Sequence, residues 1–157
     1  MQLIQTSWLT PSQKERVYSL WNQEYPVNVG FSALTDFDDY LNNLTETTHY
    51  LLENDSGEIE GWACLFSRDN LKWFAIILDA NTRGLGKGTF LLNKLKENQE
   101  KLYAWVVDHD NYVKQNGQVY PSPLQFYLKN GFTICSSRME TEKLSLVQIK
   151  WAKIQNT

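Results

Sequence analysis

The sequence has little cysteine and no excess of basic charge, and each shortage excludes a class of protein. Its 157 residues include only two cysteines, Cys64 and Cys135, which lie far apart and lack the spacing of a zinc site. We expect both thiols to be reduced, so neither a disulfide framework nor a cysteine-bound metal is predicted. Lys and Arg total 15 against 18 for Asp and Glu, a net charge of -3 that argues against a nucleic-acid partner.

Long apolar runs are also missing. No stretch approaches the roughly 20 apolar residues that a membrane-spanning helix needs. The segment Met1 to Leu9 lacks both the basic start and the apolar core of a signal peptide. These absences predict a cytoplasmic protein that does not bind a membrane.

The chain does have enough apolar material for one core. Hydrophobic residues make up 42% of it, including 6 Trp, 8 Tyr and 7 Phe. No internal repeat or linker divides the chain, so we predict a single domain over residues 1–157. Helical and extended signals alternate from end to end, which indicates a mixed α/β fold.

Capping patterns predict where most helices begin. Ser or Thr followed three residues later by an acid or Gln forms a capping box, often with proline after the cap. Such pairs are Thr10 with Gln13, Thr35 with Asp38, and Ser122 with Gln125. The spacing of leucines predicts a further helix over Thr89 to Glu97, and Gly131 should end the last helix.

Extended segments fill the remainder of the chain. The predicted strands are Gln2 to Ser7, His49 to Asn54, Glu58 to Ser67, Leu71 to Leu78, Leu102 to Val107, Phe132 to Ser136 and Leu144 to Trp151. The part from Trp73 to Leu78 is continuously apolar, which predicts a central strand covered on both faces.

A glycine-rich turn follows that strand and precedes a helix. At such a helix start, N–H groups without partners and the positive end of the helix dipole attract anions, above all phosphate. The turn is not a Walker A loop, because Gly88 separates Lys87 from Thr89, and a dinucleotide fingerprint would need glycine at position 89. A purely structural turn is the alternative.

Two motifs resemble those of a known family. Arg83, Gly86 and Gly88 resemble the pyrophosphate loop of the GNAT superfamily of acyl-CoA-dependent N-acyltransferases, where Arg or Gln precedes two spaced glycines. The segment from Phe126 to Phe132 resembles the superfamily's C-terminal signature of Tyr, Lys, Gly and Phe, with Tyr127 as its tyrosine. The order of helices and strands agrees over nearly the whole chain.

The resemblance implies a fold and a co-substrate, acetyl-CoA. The fold would be α/β (α+β), with a mostly antiparallel central sheet of about six or seven strands, flanked by about four helices and splayed in the middle. The strand before the loop would pair with the pantetheine arm, and the loop amides would bind the diphosphate. The cofactor residues implied are Ile76, Ile77, Leu78, Arg83, Gly84, Leu85, Gly86, Lys87, Gly88 and Thr89.

Tyr127 matches the family residue that protonates the departing thiolate, with an ordinary buried aromatic residue as the alternative.

Many relatives carry a glutamate on the strand before the loop, but Lys72 to Leu78 contains no carboxylate. The candidate bases are Asp108, His109 and Asp110, just past the next strand, and the imidazole among them has a suitable ordinary pKa of about 6.5. A water relay is the alternative. Asp108, His109 and Asp110 are adjacent and cannot converge on one ion, so no metal is predicted.

The segment 111–121 and the acceptor site are less clearly marked. The pair Asn116-Gly117 favours a β-hairpin, while a short helix from Asp110 to Gly117 is the alternative. Tyr120 and Pro123 stand where relatives often have Asn and Ala. By resemblance, the acceptor would lie near Phe31, Asp36, Asp38, Asp39 and the segment Tyr112 to Tyr120.

The sequence therefore predicts an acetyl-CoA-dependent N-acetyltransferase in which the amine of a small molecule or peptide attacks the thioester directly. A sensor of the same fold that binds acyl-CoA without turnover is the main alternative, because the strand lacks a carboxylate. A structural role for the glycines is the third hypothesis. The identity of the acceptor, the acyl chain and the oligomeric state, a homodimer included, stay open.

Overall fold

The computed structural model describes residues 1–154, which form helices packed on an eight-stranded sheet. The strands are β1 (Gln2–Thr6), β2 (Thr45–Glu53), β3 (Ile59–Arg68), β4 (Leu71–Leu78), β5 (Lys101–Val106), β6 (Thr133–Ile134), β7 (Met139–Glu140) and β8 (Ser145–Ala152). The α-helices are α1 (Pro11–Glu24), α2 (Leu34–Asn42), α3 (Lys87–Lys96) and α4 (Leu124–Lys129), with short 3-10 helices at Val27–Val29 and Ala80–Thr82. None of these helices combines the length and apolar character of a membrane span.

The α/β class and the mostly antiparallel sheet are confirmed. The strands lie in the order β1-β2-β3-β4-β5-β8-β6, with β7 beside β8. Only β4 and β5, which α3 connects, are parallel neighbours among the described strands. The two-residue strand β7 was not predicted, because so short a segment has no hydrophobic period of its own.

Helix α1 begins where its capping box predicts. The hydroxyl of Thr10 accepts a hydrogen bond from the backbone N–H of Gln13, whose side chain accepts one from the N–H of Thr10. Its buried apolar residues are Val17, Leu20 and Trp21. They pack on one face of the sheet, and a second apolar cluster fills the opposite face beneath α3 and α4.

The other two predicted capping boxes are wrong, although both helices exist. Helix α2 has Ala33 at its N-cap without a side-chain hydrogen bond, so Thr35 lies inside the helix. At α4 the hydroxyl of Ser122 accepts from the N–H of Leu124, which is a local turn contact and not a capping box with Gln125. Gly131 follows the helix with a φ of 90°, as predicted.

The centre of the sheet opens between β4 and β5. Within the described residues, the pairing of these two strands is confined to Trp73 opposite Tyr103. Beyond that pair the strands diverge, and Ala75 and Ile76 are only half-buried. The prediction that β4 is covered on both faces therefore fails past Phe74, because the apolar side chains there line an opening.

The segment 111–121 is a β-hairpin, so the helical alternative is excluded. The N–H of Lys114 donates to the carbonyl of Gln118 at 2.8 Å, and Val113 bridges Val119. Gly117 supplies the left-handed turn residue, with a φ of 82°. The N–H of Val27 donates to the carbonyl of Val113, which holds the hairpin beside the end of α1.

Candidate functional site

The glycine-rich loop runs from the end of β4 to the first turn of α3. Asp79 begins it by accepting a hydrogen bond from the N–H of Asn81, which stabilises the 3-10 turn Ala80–Thr82. Gly84 and Gly86 both adopt left-handed backbone conformations, with φ of 82° and 78°. Gly86 is the N-cap of α3, and because glycine has no side chain it adopts this left-handed conformation without steric strain.

The backbone amides of this loop point away from the protein's own acceptors. Among residues 1–154, none accepts a hydrogen bond from the N–H groups of Gly84 to Thr89. The next amide, that of Phe90, already donates to the carbonyl of Gly86 within the helix. The successive free donors together with the helix N-terminus form an arrangement suited to an anion.

The glycines differ in what they allow. A Cβ atom at Gly84 or Gly86 would meet no atom within 4 Å, so these positions border open space. A Cβ atom at Gly88 would lie 3.2 Å from Cζ of Phe126, so this glycine lets α3 pack closely on α4. The loop therefore has an accessible backbone at Gly84 and Gly86 and is closely packed against α4 at Gly88.

A cavity of about 500 Å³ connects the loop to the opening in the sheet. Its lining includes most of the residues that the sequence assigned to the cofactor, namely Ile76, Ile77, Leu78, Arg83, Gly84, Gly86, Gly88 and Thr89. Leu85 and Lys87 do not line it. The side chain of Leu85 is 68% exposed, and Lys87 forms an ion pair with Glu60.

Tyr127 also lines this cavity, with its ring buried against Phe74 and Phe132. Its hydroxyl makes no hydrogen bond to the described residues, and no fully buried side-chain oxygen there lacks a partner. The hydroxyl must therefore lie at the cavity surface. Burial, reinforced by the neighbouring Tyr120, raises the pKa of Tyr127 well above its usual value, so the phenol keeps its proton.

Sequence reasoning missed a buried charge cluster beside the loop. Glu24 of α1 lines the cavity and accepts a hydrogen bond from Lys114 of the hairpin at 3.0 Å. It also accepts from the N–H of Ala80 at 2.9 Å and contacts the guanidinium of Arg83 at 3.4 Å. No sequence signal distinguishes Glu24 from a solvent-facing acid at the end of a helix.

Two further tyrosines enter the cavity from outside the predicted motifs. Tyr25 follows α1, and Tyr120 ends the hairpin. Burial raises the pKa of Tyr120 to about 12 and that of Tyr25 well above its usual range. With Tyr127 they give the cavity three neutral phenol groups near the opening in the sheet.

The structure does not bring Asp108 and His109 to the cavity. Asp108 accepts two hydrogen bonds from the guanidinium of Arg138, at 2.7 and 2.6 Å, and this contact lowers the pKa of its carboxyl. His109 is half-buried, packs against the ring of Tyr112, and accepts a hydrogen bond from the N–H of Asn111. Both residues lie outside the lining of the cavity.

A second cavity, of about 280 Å³, opens on the other side of the splay. The two cavities share Tyr25, Ile76, Tyr120, Pro123 and Tyr127, so they meet where β4 and β5 separate. Of the residues predicted for the acceptor, Tyr120 at the end of the segment Tyr112 to Tyr120 lines both cavities. The others lie elsewhere: Phe31 packs on Trp21, Asp38 pairs with Lys14, and neither Asp36 nor Asp39 lines the cavity. Within residues 1–154, no three His, Cys, Asp or Glu side chains are grouped to hold a metal ion.

Comparison with known proteins yields one family and several solved structures. Residues 14–119 match the profile of the Acetyltransferase (GNAT) family. An aminoglycoside 6'-N-acetyltransferase complexed with coenzyme A is 16% identical over 100% of this chain and 99% of its own, with a TM-score of 0.73. A protein provisionally described as a phosphinothricin N-acetyltransferase is 17% identical over 98% and 100%, with a TM-score of 0.71.

A variant of the spermidine N-acetyltransferase SpeG from Vibrio cholerae is 14% identical over 97% of this chain and 95% of its own, with a TM-score of 0.67. Because the identities are only 14% to 17%, these solved structures show similarity to this chain in fold alone. A search of curated proteins finds no match.

Proposed function

Because the chain belongs to the GNAT acetyltransferase family, we propose that it transfers the acetyl group of acetyl-CoA to an amine of a small molecule or peptide, by direct attack in a ternary complex. The observation that carries the proposal is the run of unpaired amides from Gly84 to Thr89, at one end of a cavity that reaches Tyr127. The coenzyme A bound to the aminoglycoside acetyltransferase of the same fold supports the choice of co-substrate.

The loop would hold the diphosphate of the co-substrate through its backbone. The amides of Gly84 to Thr89 supply donors, the α3 N-terminus supplies positive potential, and Arg83 adds a cation at the rim. The edge of β4 that faces β5 is unpaired beyond Trp73, so its backbone can bind an amide-containing arm as another strand would. Ile76, Ile77 and Leu78 lie along this edge.

The chemistry needs a proton donor for sulfur and a neutral amine. In the transfer the nitrogen–carbon bond forms, the carbon–sulfur bond breaks, the amine loses a proton and the sulfur gains one. Tyr127 would donate to the sulfur, since its raised pKa keeps it protonated and its hydroxyl lies at the cavity surface. Within the described part of the chain, the residues lining the second cavity include no carboxylate, so we assign the amine's proton to solvent water.

Asp108 and His109 stay as the predicted side-chain bases, and variants at both positions test them. Their positions and contacts support the water route instead, because a proton acceptor must come within hydrogen-bond reach of the amine, directly or through one water.

A sensor that binds acyl-CoA without turnover is the second candidate function. One observation favours it. Within residues 1–154, Glu24 is the only carboxylate that lines either of the two cavities. It already accepts hydrogen bonds from the side chain of Lys114 and the backbone N–H of Ala80. A sensor needs the loop and the cavity but no base.

Calorimetry with acetyl-CoA, followed by thiol release with a panel of amines, tests both functions. The transferase should bind acetyl-CoA and release free thiol only when an acceptor amine is present. Binding without release for any amine would support the sensor, and the absence of binding at millimolar acetyl-CoA would contradict both functions.

A further inference from the structure

The second cavity has an unusual balance of charge for a site that must take an amine. Among residues 1–154, Arg68 is the only charged residue in its lining, and the rest are aromatic rings, aliphatic side chains and proline. This described lining contains no Asp or Glu, so it offers no counter-charge to a cationic acceptor. A polyamine or other polycation would meet a like charge at Arg68 without a counter-charge from the lining, which is unfavourable.

Arg68 has no ionic partner of its own among residues 1–154. Arg68 is exposed, and its guanidinium carbon lies 5.3 Å from the ring centroid of Phe66 and 5.8 Å from that of Trp73, so the cation lies over aromatic rings. Burial raises the pKa of Tyr40 to about 12, and the nearby charge of Arg68 opposes this rise. By contrast, the cations of Arg83 and Lys114 are both paired with Glu24, which lines the first cavity.

The walls of the second cavity suit a flat apolar body. Trp73 and Trp105 stack across the splayed strands with ring centroids 6.1 Å apart and an interplanar angle of 16°. Trp21 and Tyr40 close the side formed by the helices. A volume of about 280 Å³ lies near the lower end of the range for small-molecule pockets.

Arg68 and Tyr127 approach this cavity from opposite faces of β4. Arg68 lies over Trp73, which belongs to the apolar cluster packed against α1, whereas Tyr127 packs on Phe74 in the cluster beneath α3 and α4. Adjacent residues of a strand point to opposite faces of the sheet, so the two polar groups lie on different sides of the strand. A ligand that contacts both groups must therefore separate its two polar groups by an apolar spacer, which an α-amino acid does not do through its α-amine and α-carboxylate.

We propose that the second cavity binds an amine acceptor whose aromatic or apolar body carries a remote carboxylate: Arg68 binds the carboxylate, the aromatic walls hold the body, and the amine reaches the thioester beside Tyr127. This inference rests on the proposed transferase function and names the acceptor class of the same site. It makes Arg68 a specificity-determining residue, because a planar guanidinium suits a carboxylate.

Three acceptors that differ only in the distal group test this assignment. They are para-(aminomethyl)benzoate, its amide para-(aminomethyl)benzamide, and para-xylylenediamine, which place an anion, a neutral group and a cation at the same position. Thiol release from acetyl-CoA should be fastest with the benzoate, and its KM should be about tenfold or more below that of the amide. Arg68→Gln should remove this difference, Arg68→Lys should retain part of it, and Arg68→Glu should shift the preference to the diamine.

The matched control is Lys150→Gln, which removes one exposed cation from the sheet and should leave the preference unchanged. Faster transfer to the diamine, or an unchanged preference in Arg68→Gln, would overturn the assignment. Transfer to other amines but not to the benzoate would also overturn it. Absence of acetyl-CoA binding, or binding without thiol release for any amine, would instead count against the proposed transferase function, so the two failures can be told apart.

Discussion

Glu24 and Lys114 form an ion pair of 3.0 Å although the two residues are 90 positions apart in the chain. Their side chains are only 2% and 6% exposed. Through this pair α1 holds the hairpin of residues 111–121, and the same carboxylate holds the loop through the N–H of Ala80. The pair therefore connects the glycine-rich loop to the hairpin.

Glu24→Gln should destabilise the fold strongly. The substitution leaves the ammonium of Lys114 buried without a counter-charge, which costs about 3–5 kcal/mol in other proteins. Urea denaturation should show this as a lower transition midpoint. The double variant Glu24→Gln, Lys114→Met should recover part of the loss, because it removes the uncompensated charge. A double variant no more stable than Glu24→Gln alone would contradict the pairing.

Gly86→Ala should weaken acetyl-CoA binding more than its effect on stability explains. Gly86 has a φ of 78°, and an L-residue there costs about 1–2 kcal/mol. A Cβ atom also enters the open space that the diphosphate would occupy. Gly57→Ala is the matched control, since Gly57 has a φ of 80° and a Cβ atom there would meet no atom within 4 Å, but it lies in a remote turn. Calorimetry should show weaker binding in Gly86→Ala alone, and an equal effect in both variants would exclude a role for the loop.

The loop could be predicted from the sequence because its parts are contiguous. Residues 76–89 pass from strand to turn to helix, and glycine is informative where a left-handed φ or a close approach requires it, as at Gly86 and Gly88. The capping box at Thr10 is local in the same sense. Such signals need no knowledge of the tertiary structure.

The rest of the site depends on contacts between distant elements. Glu24, Lys114 and Arg68 look like ordinary charged residues in the sequence, and only folding brings the first two together and leaves Arg68 over an aromatic wall. The family resemblance predicted the opening beside Ala75 and Ile76, but the apolar pattern of β4 alone did not, because an apolar strand looks the same in sequence whether its neighbour pairs with it or diverges.

Tyr127→Phe should lower kcat by about 10²-fold while leaving acetyl-CoA binding nearly unchanged, since general acid catalysis contributes about 10²–10⁴-fold. The raised pKa of Tyr127 also means that kcat should not fall as the pH passes the ordinary tyrosine value of 10.0. Tyr50→Phe is the matched control, because Tyr50 is a core tyrosine outside both cavities. Full activity in Tyr127→Phe would remove the assignment of this phenol as the acid.

Asp108→Asn and His109→Gln should each keep kcat within about threefold of the parent value, because neither side chain lines a cavity. Stopped assays of thiol release at several pH values provide the measurement. If either substitution abolishes turnover at unchanged acetyl-CoA affinity, the side-chain base predicted from the sequence is correct and the water route is wrong. Asp108→Asn should also lower stability slightly, through the lost contact with Arg138.

His49 should make the fold sensitive to mild acid. Its Nδ1 accepts a hydrogen bond from the indole N–H of Trp62 at 3.0 Å, which requires that this nitrogen carry no proton. Burial, and secondly the charge of Lys14, lower the pKa of His49 from 6.5 to about 4. The folded state therefore binds this proton more weakly than the unfolded chain does.

The sign of the effect follows from that difference. The contribution of His49 to the free energy of unfolding is fully present above pH 6.5, declines as the pH falls, and is lost once the pH reaches about 4. The loss is on the order of 3 kcal/mol. Urea denaturation between about pH 7 and pH 4 should show a shallower decline for His49→Gln than for the parent, whereas His109→Gln, which removes the other histidine, should keep the parent slope. Parallel curves for His49→Gln and the parent would mean that His49 binds a proton equally well in the folded and unfolded states, which is incompatible with its burial and its hydrogen bond from Trp62.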